Sequence, residues 1–369
     1  MNIIFIISCI LLINMNYFSK QDLIDSAGEN TTLIELNCDQ GGQVIISEYG
    51  GRPLGFFPRK NGISLLWIDP QIQKAIKTKS RLIGGDRYWI SPEQDYFYKD
   101  PENWKNWFCP KGIDPANYKV LGQAKDRCTL STKLIVKNQK TGKTLTGEIT
   151  REFSTIDDPQ DSGLDYCGLQ YIDDCVIYKP NLKINGWSLA NVISGGVANP
   201  GTVLIPTKSK AKPLSYFKHI PEDRLHVEEN YVGYKIDVDE IYKLAIRPED
   251  LDYKRKAKIG YVLKIPKSED FGFLVKRSDD IPKSQEECWD IARDNPEEEI
   301  GVIQSYNSDS PNKPQLRYGE IELQLKPLET IDNTSHGKAI HELLGYIGSK
   351  KEIMEVVEQY LGIEEPHLF

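Results

Sequence analysis

The apolar residues of this chain fall in short runs, and few of them keep helical spacing. QVIISEY, TLSTKLIVK, TGEITREF, LQYIDDCVIY, IGYVLKI and FGFLVKR are rich in β-branched and aromatic side chains. Gly, Asn, Asp or Pro breaks separate them, as in the turn QKTGK, so each run predicts a strand. No internal repeat appears, which argues against solenoids and propellers. Long helical periodicity is missing too, which argues against alternating βα architectures and their phosphate-binding turns. The C-terminal end differs. SKKEIMEVVEQYLG starts on Ser349 with Glu352 three places on and stops at Gly362, a capping box and a glycine cap. Ile353, Val356, Val357 and Tyr360 fall on one face, so a short helix is predicted to pack on the sheet core. The pattern predicts an all-β fold, one large antiparallel domain folded as a sandwich, over 34–330 with a C-terminal helical tail over 331–369. Polar residues 20–33 read as a linker.

Composition narrows the partners. A formal net charge of −8 and a sequence pI near 5.4 argue against nucleic acid as a main partner. The densest basic run, KRKAK, is bracketed by acidic and aromatic residues and reads as a solvated strand. An apolar run from Ile3 to Ile13 matches the core of a signal peptide, and it is short for a bilayer span. The expectation is an exported protein (periplasmic, cell-surface or secreted) with a signal over residues 1–19 and no membrane span in the mature chain. A buried N-terminal strand is the alternative. Six cysteines would then remain, which permits disulfides without fixing their pairing. No CxxC occurs and histidines number five, so no structural zinc site is expected. DDPQDSGLD lacks the spacing of a calcium loop and reads as a turn. Nucleotide-binding glycine motifs and G-x-S-x-G are missing, and no cofactor is expected.

One strand carries most of the candidate chemistry. In YGEIELQLKP, alternation sets Ile321, Leu323 and Leu325 on one face and Glu320, Glu322, Gln324 and Lys326 on the other. Strand physics alone allows that polar face to be solvated or to bind. Glu322-Leu323-Gln324-Leu325-Lys326-Pro327 resembles the E-x-Q-x-x-P signature of aldose 1-epimerases, the galactose mutarotases, in which the glutamate is the catalytic base. VIISEYGGRPLGFFPRKNGISLLWIDP is similar to the opening hairpins of that superfamily, and GGDRYWISPE to a G-G-x-R segment of its uncharacterised branches. WSLANV, the Lys258-Ile259-Gly260 step and IQSYN extend the resemblance over most of 35–330.

The resemblance implies an antiparallel β-supersandwich of galactose mutarotase-like fold that holds a sugar on the concave face of one large sheet. Glu322 would face that cleft with Gln324. Arg87 could bridge a hydroxyl pair or a uronate carboxylate, or instead form an ion pair with Asp86 or Glu93. Trp89 and Tyr88 could offer ring faces to a pyranose, or the tryptophans serve as core, and Trp187 is a further ligand-binding candidate. Lys258 could meet an acidic sugar. The epimerase acid, a histidine in an H-x-Y-F-N motif, has no counterpart, and His219 is the candidate in its place. Three readings follow: a carbohydrate-binding protein taking a mono- or polysaccharide; an aldose 1-epimerase or polysaccharide-processing enzyme with Glu322 as general base; and a structural sandwich with a filled cleft.

Overall fold

The computed structural model describes residues 17–291, 299–308 and 317–369; the segment carrying most of the signal expectation lies outside them. Antiparallel strands dominate. An eleven-stranded sheet is built around two long neighbours, Asp165–Ile177 and Thr334–Gly348, flanked on one side by Thr144–Thr155 and Arg127–Lys137 and on the other by Phe271–Arg277 and Ala257–Lys264. A six-stranded sheet runs in the order Leu214–Ser215, Tyr242–Ile246, Ile303–Asn307, Gly319–Pro327, Asn185–Val192, Asp86–Ser91. A third sheet, Leu33–Asn37, Gln43–Ser47 and Arg52–Phe57, carries the Gly-Gly-Arg turn, whose Gly50 and Gly51 sit at φ 81° and 54°. Among the described residues no helix is long and apolar enough to cross a membrane.

The interior between the two large sheets is apolar with charged inclusions. Ile321 and Leu323 of the smaller sheet are fully buried in one core with Leu169 and Leu343 of the larger. Through that core runs an ionic seam. Lys276 Nζ lies 3.0 Å from Asp86 Oδ2 and donates to Ser188 Oγ at 2.8 Å. Arg151 holds Asp173 at 2.7 Å, and its Nη1 also donates to the Asp86 carbonyl at 3.2 Å. His341 Nε2 meets the second Asp173 oxygen at 2.8 Å. Buried charges persist only when paired in this way.

Two expectations about the ends need correction. Residues 331–369 are not a helical tail alone, because Thr334–Gly348 is a central strand of the large sheet. Its second half, ELLGYIG, is buried on both faces, since the C-terminal helix covers the side opposite the core, and the period-two signal is lost there. That helix, Lys350–Leu361, has the expected Ser349–Glu352 capping box, a left-handed Gly362 and the expected buried face. Residues 20–33 are not a linker either. Lys20–Ala27 is a helix capped by Ser19 and Asp22, anchored by Leu23 and Ala27, and Leu33 begins a strand. All six described cysteines are free; the buried Cys38 and Cys167 sulfurs lie 3.6 Å apart.

Candidate functional site

The outer face of the six-stranded sheet collects the polar positions that alternation sets apart. Pairing places Lys243 beside Tyr306, Tyr306 beside Glu320 and Glu320 beside Asn191. The next row runs Gln304, Glu322, Leu189, Arg87, and Trp187 pairs with Trp89. Over this face lies a cavity of about 560 Å³. Its floor is Arg87, Trp89, Trp187, Leu189, Lys243, Tyr306 and Glu320. Its rim is Arg81, Glu93, Tyr98, Trp104, Asn106, Trp107, Phe217, Ile241 and Tyr318, most of them from segments outside the six-stranded sheet.

GGDRYWISPE can now be placed. Gly84 and Gly85 have φ of 92° and 79°, and a Cβ on them would lie 2.0 Å from the Trp67 carbonyl oxygen and 2.3 Å from that of Pro53. Only glycine fits this approach. The strand that follows sends Asp86 and Tyr88 into the core and Arg87 and Trp89 to the cavity. Asp86 therefore pairs with Lys276 on the far side of the sheet and cannot contact a ligand in this cavity. Neither expected partner of Arg87 is correct. Its Nη2 donates to Glu320 Oε1 at 2.5 Å and its Nη1 to Asn191 Oδ1 at 2.8 Å. Burial works against the Arg87 charge, but Glu320 and Tyr318 outweigh it and keep the guanidinium firmly protonated.

Glu322 is fully buried beneath the floor. Its Oε2 accepts from Trp187 Nε1 at 3.0 Å and lies 3.2 Å from Lys243 Nζ, while Oε1 has no hydrogen-bond partner. Burial pushes its carboxyl above the usual range, Lys243 pulls it back, and Glu320 pushes it up again. Burial likewise raises Asp290 and Glu93, with Lys243 opposing both. One ammonium thus holds together a set of crowded carboxyl groups. Gln324 also lies beneath the floor, accepting from Ser91 Oγ at 2.7 Å. Glu93 reaches the rim, where Trp107 Nε1 donates to it at 2.8 Å.

The remaining candidates lie elsewhere. His219 is exposed on a loop whose Phe217, two residues earlier, lines the cavity. Among the described residues lining the cavity there is no histidine. Lys258 is buried against Tyr253 and the Arg255 carbonyl, at a bulge between Ala257 and Ile259, and does not line the cavity. The cavity lies over the smaller sheet, not the larger one as expected. Sequence reasoning missed Arg81, Lys243, Tyr306 and Trp107. Tyr306 alone carried a signal, lying in the quoted IQSYN. Among the described residues no three His, Cys, Asp or Glu side chains are arranged to hold a metal ion.

Residues 17–176 match the model of a family of unknown function, DUF6786. No curated protein matches the sequence. Among solved structures, the chain is similar to a galactose mutarotase-like protein from Lactobacillus casei, at 10% identity and a TM-score of 0.47 over 86% of this chain and 100% of that one. It is also similar to a galactose mutarotase-like protein from Clostridium acetobutylicum, at 12% and 0.46 over 87% and 99%. A third is galactose 1-epimerase from Lactobacillus acidophilus, at 11% and 0.44 over 86% and 94%.

Proposed function

We propose that this chain is an exported carbohydrate-binding protein that holds a mono- or polysaccharide in the cavity over the six-stranded sheet. The observation that carries the reading is the make-up of that cavity. Trp89, Trp104, Trp107 and Trp187 wall a space beside Arg87, Glu320 and Lys243, with no imidazole among the described lining residues. Sugars present apolar C–H faces and polar rims, and such walls suit both. At about 560 Å³ the space accommodates a small saccharide. The apolar run Ile3 to Ile13 supports export.

A glycan array with the purified chain is expected to show binding to a restricted set of glycans, reduced for Trp107→Ala. Silence across neutral and acidic glycans would sink the reading. Recovery of the chain only from the cytoplasm, with its first residues intact, would sink export alone. The enzyme reading has one observation in its favour, the raised carboxyl of Glu322 with an unpartnered oxygen. Its floor position, shut behind Trp187 and Lys243, speaks against proton transfer to a ligand. Polarimetry of fresh α-galactose is therefore expected to decay at the buffer rate. Faster decay, abolished by Glu322→Gln, would instead establish the epimerase.

A further inference from the structure

The cations on the cavity floor have partners, and the one at the mouth does not. Arg87 uses both terminal nitrogens on Asn191 and Glu320. Lys243 pairs with Glu322 and lies 4.6 Å from the Trp187 ring. Arg81 enters from the turn after helix Ile72–Lys77. Its guanidinium carbon lies 4.8 Å from the centre of the Trp107 ring and 5.5 Å from that of Trp89. The two rings hold the group by cation–π contact, which occupies none of its N–H donors, and among the described residues those donors have no carboxylate or carbonyl acceptor.

The surroundings favour an anion there. Three cations, Arg81, Arg87 and Lys243, line the cavity against two carboxyl groups, Glu93 and Glu320, in a chain whose formal net charge is −8. Burial pushes the Glu93 carboxyl up, which weakens the negative side further. Resting on the carbohydrate reading, we propose that the ligand is an anionic saccharide, carrying a uronate carboxylate or a sulfate ester, and that Arg81 is the residue that recognises its charge. A carboxylate or sulfate presents paired oxygens that match the in-plane fork of a guanidinium. Arg87, the sequence-level candidate for this task, has both ends of its fork occupied.

Isothermal titration of the full chain with galactose, galacturonic acid and galactose 6-sulfate separates the possibilities. At least one acidic sugar is expected to bind roughly tenfold more tightly than galactose at low salt. That advantage should shrink in roughly 0.5 M salt, because the rim is open to screening. Arg81→Gln should bring acidic and neutral affinities to within about twofold of each other. Arg81→Lys should keep part of the difference, since the charge remains while the fork is lost. An unchanged melting temperature for Arg81→Gln establishes that the variant folds. Preference for the uronate alone assigns a carboxylate and preference for the sulfate alone a sulfate ester; either supports the inference. Equal affinity for galactose and both acidic sugars, or a preference intact in Arg81→Gln, overturns it and leaves carbohydrate binding standing. Silence of all three sugars here and of the glycan array removes the inference together with the reading beneath it.

Discussion

At the scale of single residues, the cavity floor turns on Lys243. The ammonium lies 3.2 Å from Glu322, and its charge also opposes the burial of Glu93 and Asp290. Glu322 has a folded pKa above its ordinary value, so the folded state holds the proton more tightly than the unfolded chain. Its contribution to stability is therefore full at low pH and falls as pH rises through the folded value. Without the cation the effect must steepen. Lys243→Met is expected to lose about 3–5 kcal/mol of unfolding free energy at pH 8, the usual penalty for stranding one partner of a buried pair. The loss should be clearly smaller at pH 5, where the carboxyls take up protons. Urea titrations at the two values measure it, and an equal loss at both would show that the crowding is not electrostatic. Adding Glu322→Gln to Lys243→Met should restore part of the loss at pH 8.

At the scale of elements, what was legible in the sequence follows from how locally each feature is determined. The C-terminal helix is marked by Ser349, Glu352 and Gly362 in its own sequence, and its buried face follows from spacing. The polar face of Gly319–Pro327 is equally local, because alternation is a property of one strand. Its burial is not local. Glu322 is buried behind Trp187 and Lys243 of neighbouring strands, and Glu320 lies at the bottom of a cavity whose rim residues, such as Trp107 and Phe217, come from far away in the chain. Arg81 and Lys243 sit in a turn and a five-residue strand with no motif, so only the tertiary fold brings them in. Two adjacent glycines, as in GGDRYW, mark a turn or a close approach locally, but the partner, the Trp67 and Pro53 carbonyls, is set by the fold. That approach gives a test: Gly85→Ala combines a positive φ with a Cβ 2.3 Å from the Pro53 oxygen, and should cost roughly 2–4 kcal/mol. Gly142→Ala, at φ 71° with nothing within 4 Å, should cost only about 1–2 kcal/mol. Equal losses in chemical denaturation would mean that the close approach at Gly85 does not matter.

At the scale of the whole molecule, the two large sheets are joined through charge as well as through apolar contact. The seam begins on the large sheet, where Asp173 is held by Arg151 and His341, and crosses to the strand bearing Arg87 and Trp89 through the Arg151 bond to the Asp86 carbonyl. The cavity floor and the large sheet therefore share one support. Burial pushes the Asp173 carboxyl up, but Arg151 and His341 more than offset it and leave it at about 2. A depressed folded pKa means the contribution is present above the ordinary value of 3.8 and is lost as pH falls through about 2. Asp173→Asn should then lose about 3–5 kcal/mol at pH 7, with Arg151 left short of its counter-charge. The gap to the wild type should close as the pH drops toward 2. Because the seam spans both sheets, tryptophan fluorescence, which reports the cavity walls, and far-ultraviolet dichroism, which reports the strands, should move to lower urea together in the variant. If fluorescence alone shifted, the cavity would unfold separately from the large sheet, and the seam would have to be read as a local brace for the floor strand.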